Sequence, residues 1–164
     1  MNKKVAVLGL FMALAFVLSY IEMLLPINIG IPGVKLGLGN IIVIVILEKI
    51  GIREAFLIGL TRVIFMGLIF TGLSSVLYGL VGTILSLLVM ILLRRINRFS
   101  IIGISVAGSV MHNLGQIIVA EYIIHNSKVF YYFPVLLISG TIAGIIIGAF
   151  SGMVIIRIKN VKIE

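Results

Sequence analysis

The charged residues of this 164-residue chain are almost all confined to short segments between long apolar stretches. Charged residues make up 11% of the chain and hydrophobic residues 62%, whereas a soluble domain averages about 25% charged residues. A soluble core of this length cannot bury so many apolar side chains. The pattern therefore predicts an all-α integral membrane protein, because helices satisfy their own backbone hydrogen bonds in lipid.

Proline, glycine and charged residues divide the apolar sequence into six predicted transmembrane helices. We expect them to form one compact bundle over residues 1–164. A loop that contains Pro26, Pro32 and Gly33 separates the first two stretches. The second stretch is short for a complete crossing. The spans are predicted at about 5–25, 36–47, 55–71, 76–93, 101–124 and 130–156.

The distribution of basic residues predicts the orientation in the membrane. With six spans, ten of the thirteen Lys and Arg residues lie on the side of both termini and two on the opposite side, while Arg62 lies within a span. Cytoplasmic loops of membrane proteins carry such an excess. We therefore expect a multi-pass protein of the cell membrane with both termini in the cytoplasm. The net charge of +8 is assigned to this orientation rather than to nucleic-acid binding.

A few polar residues lie deep within the predicted spans. An intramembrane arginine costs about 2.5–3.5 kcal/mol and is usually retained for a partner or a function, so Arg62 is the first candidate for ligand binding. His112 and Gln116 are four residues apart and share a helix face, with Asn113 beside them. The predicted substrate-binding residues are Lys35, Asn40, Arg62, His112, Asn113, Gln116 and Glu121.

These residues are expected to line one polar cavity that opens outward beneath the Pro- and Gly-rich loop. Arg62 and Lys35 favour a solute that carries a carboxylate or a phosphate, because such groups accept charge-assisted hydrogen bonds. The structural alternative is that Arg62 pairs with Glu121 or with backbone carbonyls, while the amides join neighbouring helices.

The composition argues against catalysis. Cysteine and aspartate are absent, so thiolate metal sites and aspartate-rich magnesium motifs are not expected. No second histidine is placed to form a metal site with His112. No serine has a base beside it, and no phosphate-binding loop is present, so neither nucleophilic catalysis nor ATP hydrolysis is expected. We therefore predict no enzyme activity, no metal and no cofactor.

Small residues recur at helical spacing. Four glycines from Gly140 to Gly152 lie four residues apart in the last span, and Gly9 and Ala13 lie four apart in the first. Such patterns allow close backbone contact in lipid. For the last span, packing within the bundle is the simpler interpretation. The alternative is that its glycines form the contact between subunits of an oligomeric channel. For Gly9 and Ala13, docking on another membrane subunit stays open.

Three segments together resemble one family. Residues 32–40 read PGVKLGLGN, residues 82–90 read GTILSLLVM, and residues 99–105 lead to HNLGQ at 112–116. The chain resembles the Gx transporter family, often labelled heptaprenyl diphosphate synthase component I. One departure is Gly39, where alanine is usual. The resemblance covers nearly the whole chain.

This resemblance implies a six-helix protein similar to the substrate-binding S-components of energy-coupling factor (ECF) transporters. Such subunits bind a vitamin-like solute in an outward cavity that the loop after helix 1 covers. They dock through small residues of helix 1, here Gly9 and Ala13, on a transmembrane coupling subunit that two ATPase subunits drive.

The label implies an alternative, a non-catalytic membrane partner of a polyprenyl diphosphate synthase. Joining isoprenyl diphosphates requires magnesium held by clustered carboxylates. This chain has no aspartate and five scattered glutamates, so we expect no synthase activity from the chain itself.

Overall fold

The computed structural model describes residues 3–24 and 36–158, and every regular element in these ranges is helical. Lys35 and the Pro- and Gly-rich loop lie outside the described residues. A π-helical turn, Gly67–Thr71, continues the third helix, and a 3₁₀ helix, Ser127–Tyr132, precedes the sixth. The α-helices are α1 (Lys3–Leu24), α2 (Gly39–Lys49), α3 (Ile52–Met66), α4 (Leu73–Ile96), α5 (Ile101–Ile124) and α6 (Phe133–Arg157).

The six predicted helices are present, but the second does not cross a membrane on its own. Helix α2 has 11 residues and is about 16 Å long, half of a hydrocarbon core of about 30 Å. The expected span of 36–47 is thus corrected to Gly39–Lys49. The helix cannot begin earlier because Gly37 has a φ of 77°, in the left-handed region that glycine tolerates. The other five helices begin and end within three residues of the predicted spans when the π-helical turn Gly67–Thr71 is counted with the third helix.

Five long helices surround or flank this short one. Within the described residues, all five are long and apolar enough to span a membrane. Helix α2 packs against α1, α3 and α6, and further contacts join α3 to α4, α4 to α5, and α5 to α6. Every side chain from Ile41 to Leu47 is buried. An apolar sequence without a polar face fits this central position, because all sides of α2 meet other helices.

Close backbone contacts hold α4, α5 and α6 together. A Cβ atom added to Gly115 would lie 2.8 Å from Cα of Gly82, and one added to Gly144 would lie 2.6 Å from Cα of Val106. Packing within the bundle therefore accounts for Gly144 and its neighbours in the glycine stripe. Gly152 differs, since an added Cβ would meet no atom within 4 Å.

The helix ends meet at what we call the basic end of the bundle, where α1, α3 and α5 begin and α2, α4 and α6 end. Lys4 of α1 forms an ion pair of 2.6 Å with Glu54 of α3. Arg94 of α4 donates two hydrogen bonds to Glu48 of α2. One goes to the Glu48 carboxylate at 3.3 Å and the other to the Glu48 backbone carbonyl at 3.1 Å. Each pair joins two helices that run in the same direction, α1 with α3 and α2 with α4.

Candidate functional site

Arg62 of α3 is buried inside the bundle, with 8% of its surface exposed. Its Nη1 donates a hydrogen bond of 2.9 Å to Oγ of Ser19 in α1. Its Nη2 donates a hydrogen bond of 2.6 Å to Oδ1 of Asn40 in the first turn of α2. One side chain thus joins three helices at the level where the short helix begins. The planar guanidinium has donors on separate nitrogens, so it can serve both partners at once.

Glu22 of α1 occupies the N-terminal side of α2. Its Oε2 accepts a hydrogen bond of 3.0 Å from N–H of Leu38, and its Oε1 accepts one from N–H of Gly37. These N–H groups belong to the two residues that precede α2, where the positive end of the helix dipole also favours a carboxylate. Glu22 also interacts electrostatically with Arg62. We refer to Ser19, Glu22, Asn40 and Arg62 as the Arg62 cluster.

Sequence reasoning missed Ser19 and Glu22. The available signal was their spacing, since residues three apart share one face of a helix. Glu22 is also the one acidic residue of the first apolar stretch.

Gly39 allows the cluster to form. A Cβ atom added there would lie 2.5 Å from Nη1 of Arg62 and would also meet Oγ of Ser19. Contacts below 3.0 Å essentially never occur for real Cβ atoms. The family resemblance implied that alanine is usual at this position, but in this chain glycine leaves the space that the guanidinium fills.

The guanidinium is not fully satisfied by protein groups. Within the described residues, Nε of Arg62 is buried without a hydrogen-bond partner, as is Oγ1 of Thr83. The Thr83 side chain packs beside Gly59, three residues before Arg62 on α3. Buried polar atoms usually have a hydrogen-bond partner, so both atoms are exceptions to that rule.

The predicted residues of α5 point in more than one direction. His112 lies against α4, because a Cβ atom added to Gly82 would come within 2.9 Å of Cε1 of His112. Nδ2 of Asn113 donates a hydrogen bond of 2.7 Å to the carbonyl of Leu136 in α6. Gln116 is partly buried one turn beyond His112. The Asn113 amide therefore joins helices, as the structural alternative expected of such side chains.

Helix α4 contacts both His112 and the residue that follows Arg62. Gly79 of α4 packs against Val63, and Gly82 packs against His112. The two contacts are three residues apart on α4, or about 4.5 Å along its axis. The structure thus brings Arg62 and Asn40 into contact and places His112 at a similar level along the bundle.

The alternative pairing of Arg62 with Glu121 is not formed in the structure. Ion pairs between described residues join Lys4 to Glu54 and Glu48 to Arg94. The Arg62 guanidinium is instead held by Ser19 and Asn40. That alternative was wrong because α1 and α2, rather than α5, supply the nearest acceptors.

The proposed docking residues lie on the outer surface of α1. Gly9 and Ala13 are both exposed, and an added Cβ at Gly9 would meet nothing within 4 Å. In the described part of the chain, no helix covers this stripe.

Comparisons with known proteins supply one match. Residues 11–154 match the sequence model of a family described as heptaprenyl diphosphate synthase component I. No curated protein and no solved structure gives a significant match. Among the described residues, no group of three His, Cys, Asp or Glu side chains is placed to hold a metal ion.

Proposed function

Since the chain belongs to the heptaprenyl diphosphate synthase component I family, we propose that it is a membrane-embedded, S-component-like subunit that binds a small anionic solute for uptake. The solute class is vitamin-like or precursor-like. The family description names a component of a synthase, and this chain lacks the aspartates that such a reaction uses to hold magnesium. Binding, rather than catalysis, is therefore the activity that its residues support.

The observation that carries this proposal is the environment of Arg62. The side chain is buried, its two hydrogen-bond acceptors are neutral, and its Nε atom has no partner among the described residues. A buried cation is costly unless an anion compensates it. Glu22 supplies part of that compensation, but it forms no ion pair with Arg62 within 4 Å. An acid group of the solute, bound directly to Arg62, would compensate the charge more fully.

The neighbouring polar side chains define the proposed contacts. Asn40 would hold the solute together with Arg62, and His112 and Gln116 of α5 would orient its polar part across the bundle. Asn113, Lys35 and Glu121 remain proposed contacts from the sequence.

We assign the exposed stripe of Gly9 and Ala13 to docking on an ECF-type coupling subunit, which ATPase subunits would drive. Small residues on a lipid-facing helix allow another helix to approach closely. The proposal also retains the predicted orientation, in which the basic end and both termini face the cytoplasm.

A second function is favoured by the family description, namely a non-catalytic membrane subunit of a heptaprenyl diphosphate synthase. In this role the chain would bind a soluble, aspartate-rich synthase subunit at its basic end. Deleting the chain would then lower synthase activity in membranes without changing solute uptake.

Native mass spectrometry of protein purified gently from its membrane distinguishes the two functions. Solute binding predicts a retained small anionic molecule, with or without coupling and ATPase subunits. The second function predicts a soluble synthase subunit and no small molecule. A chain that carries neither solute nor transport subunit would contradict the proposed function.

A further inference from the structure

The turn that leads into α2, residues 37–40, is closed by a hydrogen bond from N–H of Asn40 to the Gly37 carbonyl. We call it the N-terminal turn of α2, and its two leading N–H groups are already bound by a carboxylate. The two oxygens of Glu22 accept hydrogen bonds from the adjacent N–H groups of Gly37 and Leu38. Unpaired N–H groups at a helix N-terminus favour anions through both hydrogen bonding and the helix dipole. The carboxylate reaches this turn from another helix, α1, so the contact is not part of the local fold of α2.

A buried cation lies against the same turn. A Cβ atom added to Gly39, the first residue of α2, would lie 2.5 Å from Nη1 and 3.0 Å from Cδ of Arg62. Arg62 is more than nine-tenths buried, and its Nε atom has no partner among the described residues. The turn and Arg62 together thus offer more donors than Glu22, Ser19 and Asn40 use.

We propose that the N-terminal turn of α2 and Arg62 form a carboxylate-binding cradle that Glu22 fills in this conformation and that the acid group of the solute takes over on binding. The replacement of Glu22 by a solute rests on the proposed solute-binding function, whereas the existence of the cradle does not. Glu22 is partly buried and lies two residues before the end of α1. A small displacement of that end would therefore vacate the cradle.

The geometry favours a carboxylate over a phosphate. The two N–H groups belong to adjacent residues, and each donates a hydrogen bond to one oxygen of the planar carboxylate. Arg62 supplies one positive charge, which a single carboxylate balances. A phosphate monoester carries about −1.5 to −2 near neutral pH, so it would leave negative charge uncompensated in a buried site.

Chemical rescue tests the cradle. Glu22→Ala removes the resident carboxylate, and sodium acetate serves as the probe at constant ionic strength against sodium chloride. We expect acetate to raise the melting temperature of this variant by about 2–4 °C, because it binds the folded cradle. Acetate should shift the wild type by less, since Glu22 competes for the same N–H groups.

Glu54→Ala is the matched control. Glu54 lies in the first turn of its own helix, α3, and it pairs with the half-exposed Lys4 rather than lying near a buried arginine. We expect no acetate-specific rise for this variant, and the double variant Glu22→Ala/Arg62→Met should lose the rise seen with Glu22→Ala. Equal effects of acetate and chloride on Glu22→Ala would overturn the proposal, as would a larger effect of phosphate than of acetate.

If Glu22→Ala does not yield folded protein, Glu22→Gln replaces it. The neutral amide holds the turn less tightly than a carboxylate does, so acetate should stabilise Glu22→Gln more than the wild type, and an equal response would overturn the cradle. Rescue by acetate in a protein that retains no solute would support the cradle and refute the transport function. Retained solute without rescue by acetate would support the transport function and refute the cradle.

Discussion

Asn40, in the first turn of α2, accepts a hydrogen bond of 2.6 Å from Nη2 of Arg62 on α3. This contact ties the start of a half-length helix to a residue that the sequence places in the middle of a long apolar stretch. With Ser19 and Glu22 of α1, it concentrates the polar groups of the first three helices at one level. The short helix and the buried arginine are therefore two parts of one arrangement.

Two substitutions of Arg62 distinguish the effect of its side-chain volume on stability from the effect of its charge. Arg62→Ala leaves a cavity and unsatisfied acceptors, and we expect it to lower the free energy of unfolding by about 3 kcal/mol. Arg62→Met fills much of the volume and removes the cost of burying a charge, so we expect a loss of less than about 1.5 kcal/mol. Thermal melting in detergent, followed by circular dichroism, measures the difference. An equal loss in both variants would show that the charge itself stabilises the fold.

Two glycines of one stripe should respond in opposite ways to alanine. Gly144→Ala places a methyl group 2.6 Å from Cα of Val106, and the required backbone shift should cost about 1–3 kcal/mol. Gly152→Ala meets open space and should be neutral or stabilise the helix by up to about 1 kcal/mol. The same melting experiment compares them, and a larger loss for Gly152→Ala would contradict the α5–α6 packing.

The two ion pairs at the basic end should differ in their contribution to stability. Arg94→Ala removes a carboxylate contact and also a donor to the Glu48 carbonyl near the end of α2, so we expect a loss of about 1–2 kcal/mol. Lys4 is half exposed in its pair with Glu54, and Lys4→Ala should cost at most about 0.5 kcal/mol. High salt should reduce the small Lys4 effect further. A larger loss for Lys4→Ala than for Arg94→Ala would mean that the ion pair of α1, rather than that of α2, stabilises the basic end.

The orientation can be tested by cysteine labelling, because the chain contains no native cysteine. Ser127 and Arg98 are both exposed and lie at opposite ends of the bundle. In intact cells, we expect a membrane-impermeant maleimide to label Ser127→Cys, and to label Arg98→Cys only after permeabilisation. Labelling with the opposite preference would place both termini outside.

The helical architecture followed from composition because apolar length and charge position determine where a chain can cross lipid. The start of α2 did not follow, since Gly37, two residues before the helix, has a left-handed backbone that the sequence pattern does not reveal. Apolar residues before and after that point look alike in sequence. Only the three-dimensional contacts show that α2 is a short helix buried on all sides.

The candidate site was predicted in part. Arg62 and Asn40 were named from the sequence, and the structure joins them directly. Glu22 was missed because it lies near the end of a predicted span, where charged residues usually need no explanation. Asn113, predicted to bind a ligand, donates through Nδ2 to the Leu136 carbonyl. A helix-joining amide has the same sequence signature as a ligand-binding one, so the sequence could not separate the two roles.

The central claim is that Arg62 holds the acid group of a bound solute. The most direct measurement is native mass spectrometry of the wild type and of Arg62→Met, purified in parallel from the same membranes, with Arg95→Ala as an exposed basic control. We predict that the wild type and Arg95→Ala retain the same small anionic molecule and that Arg62→Met, although folded, does not. The same bound mass in all three proteins would contradict the claim, as would its absence from all three.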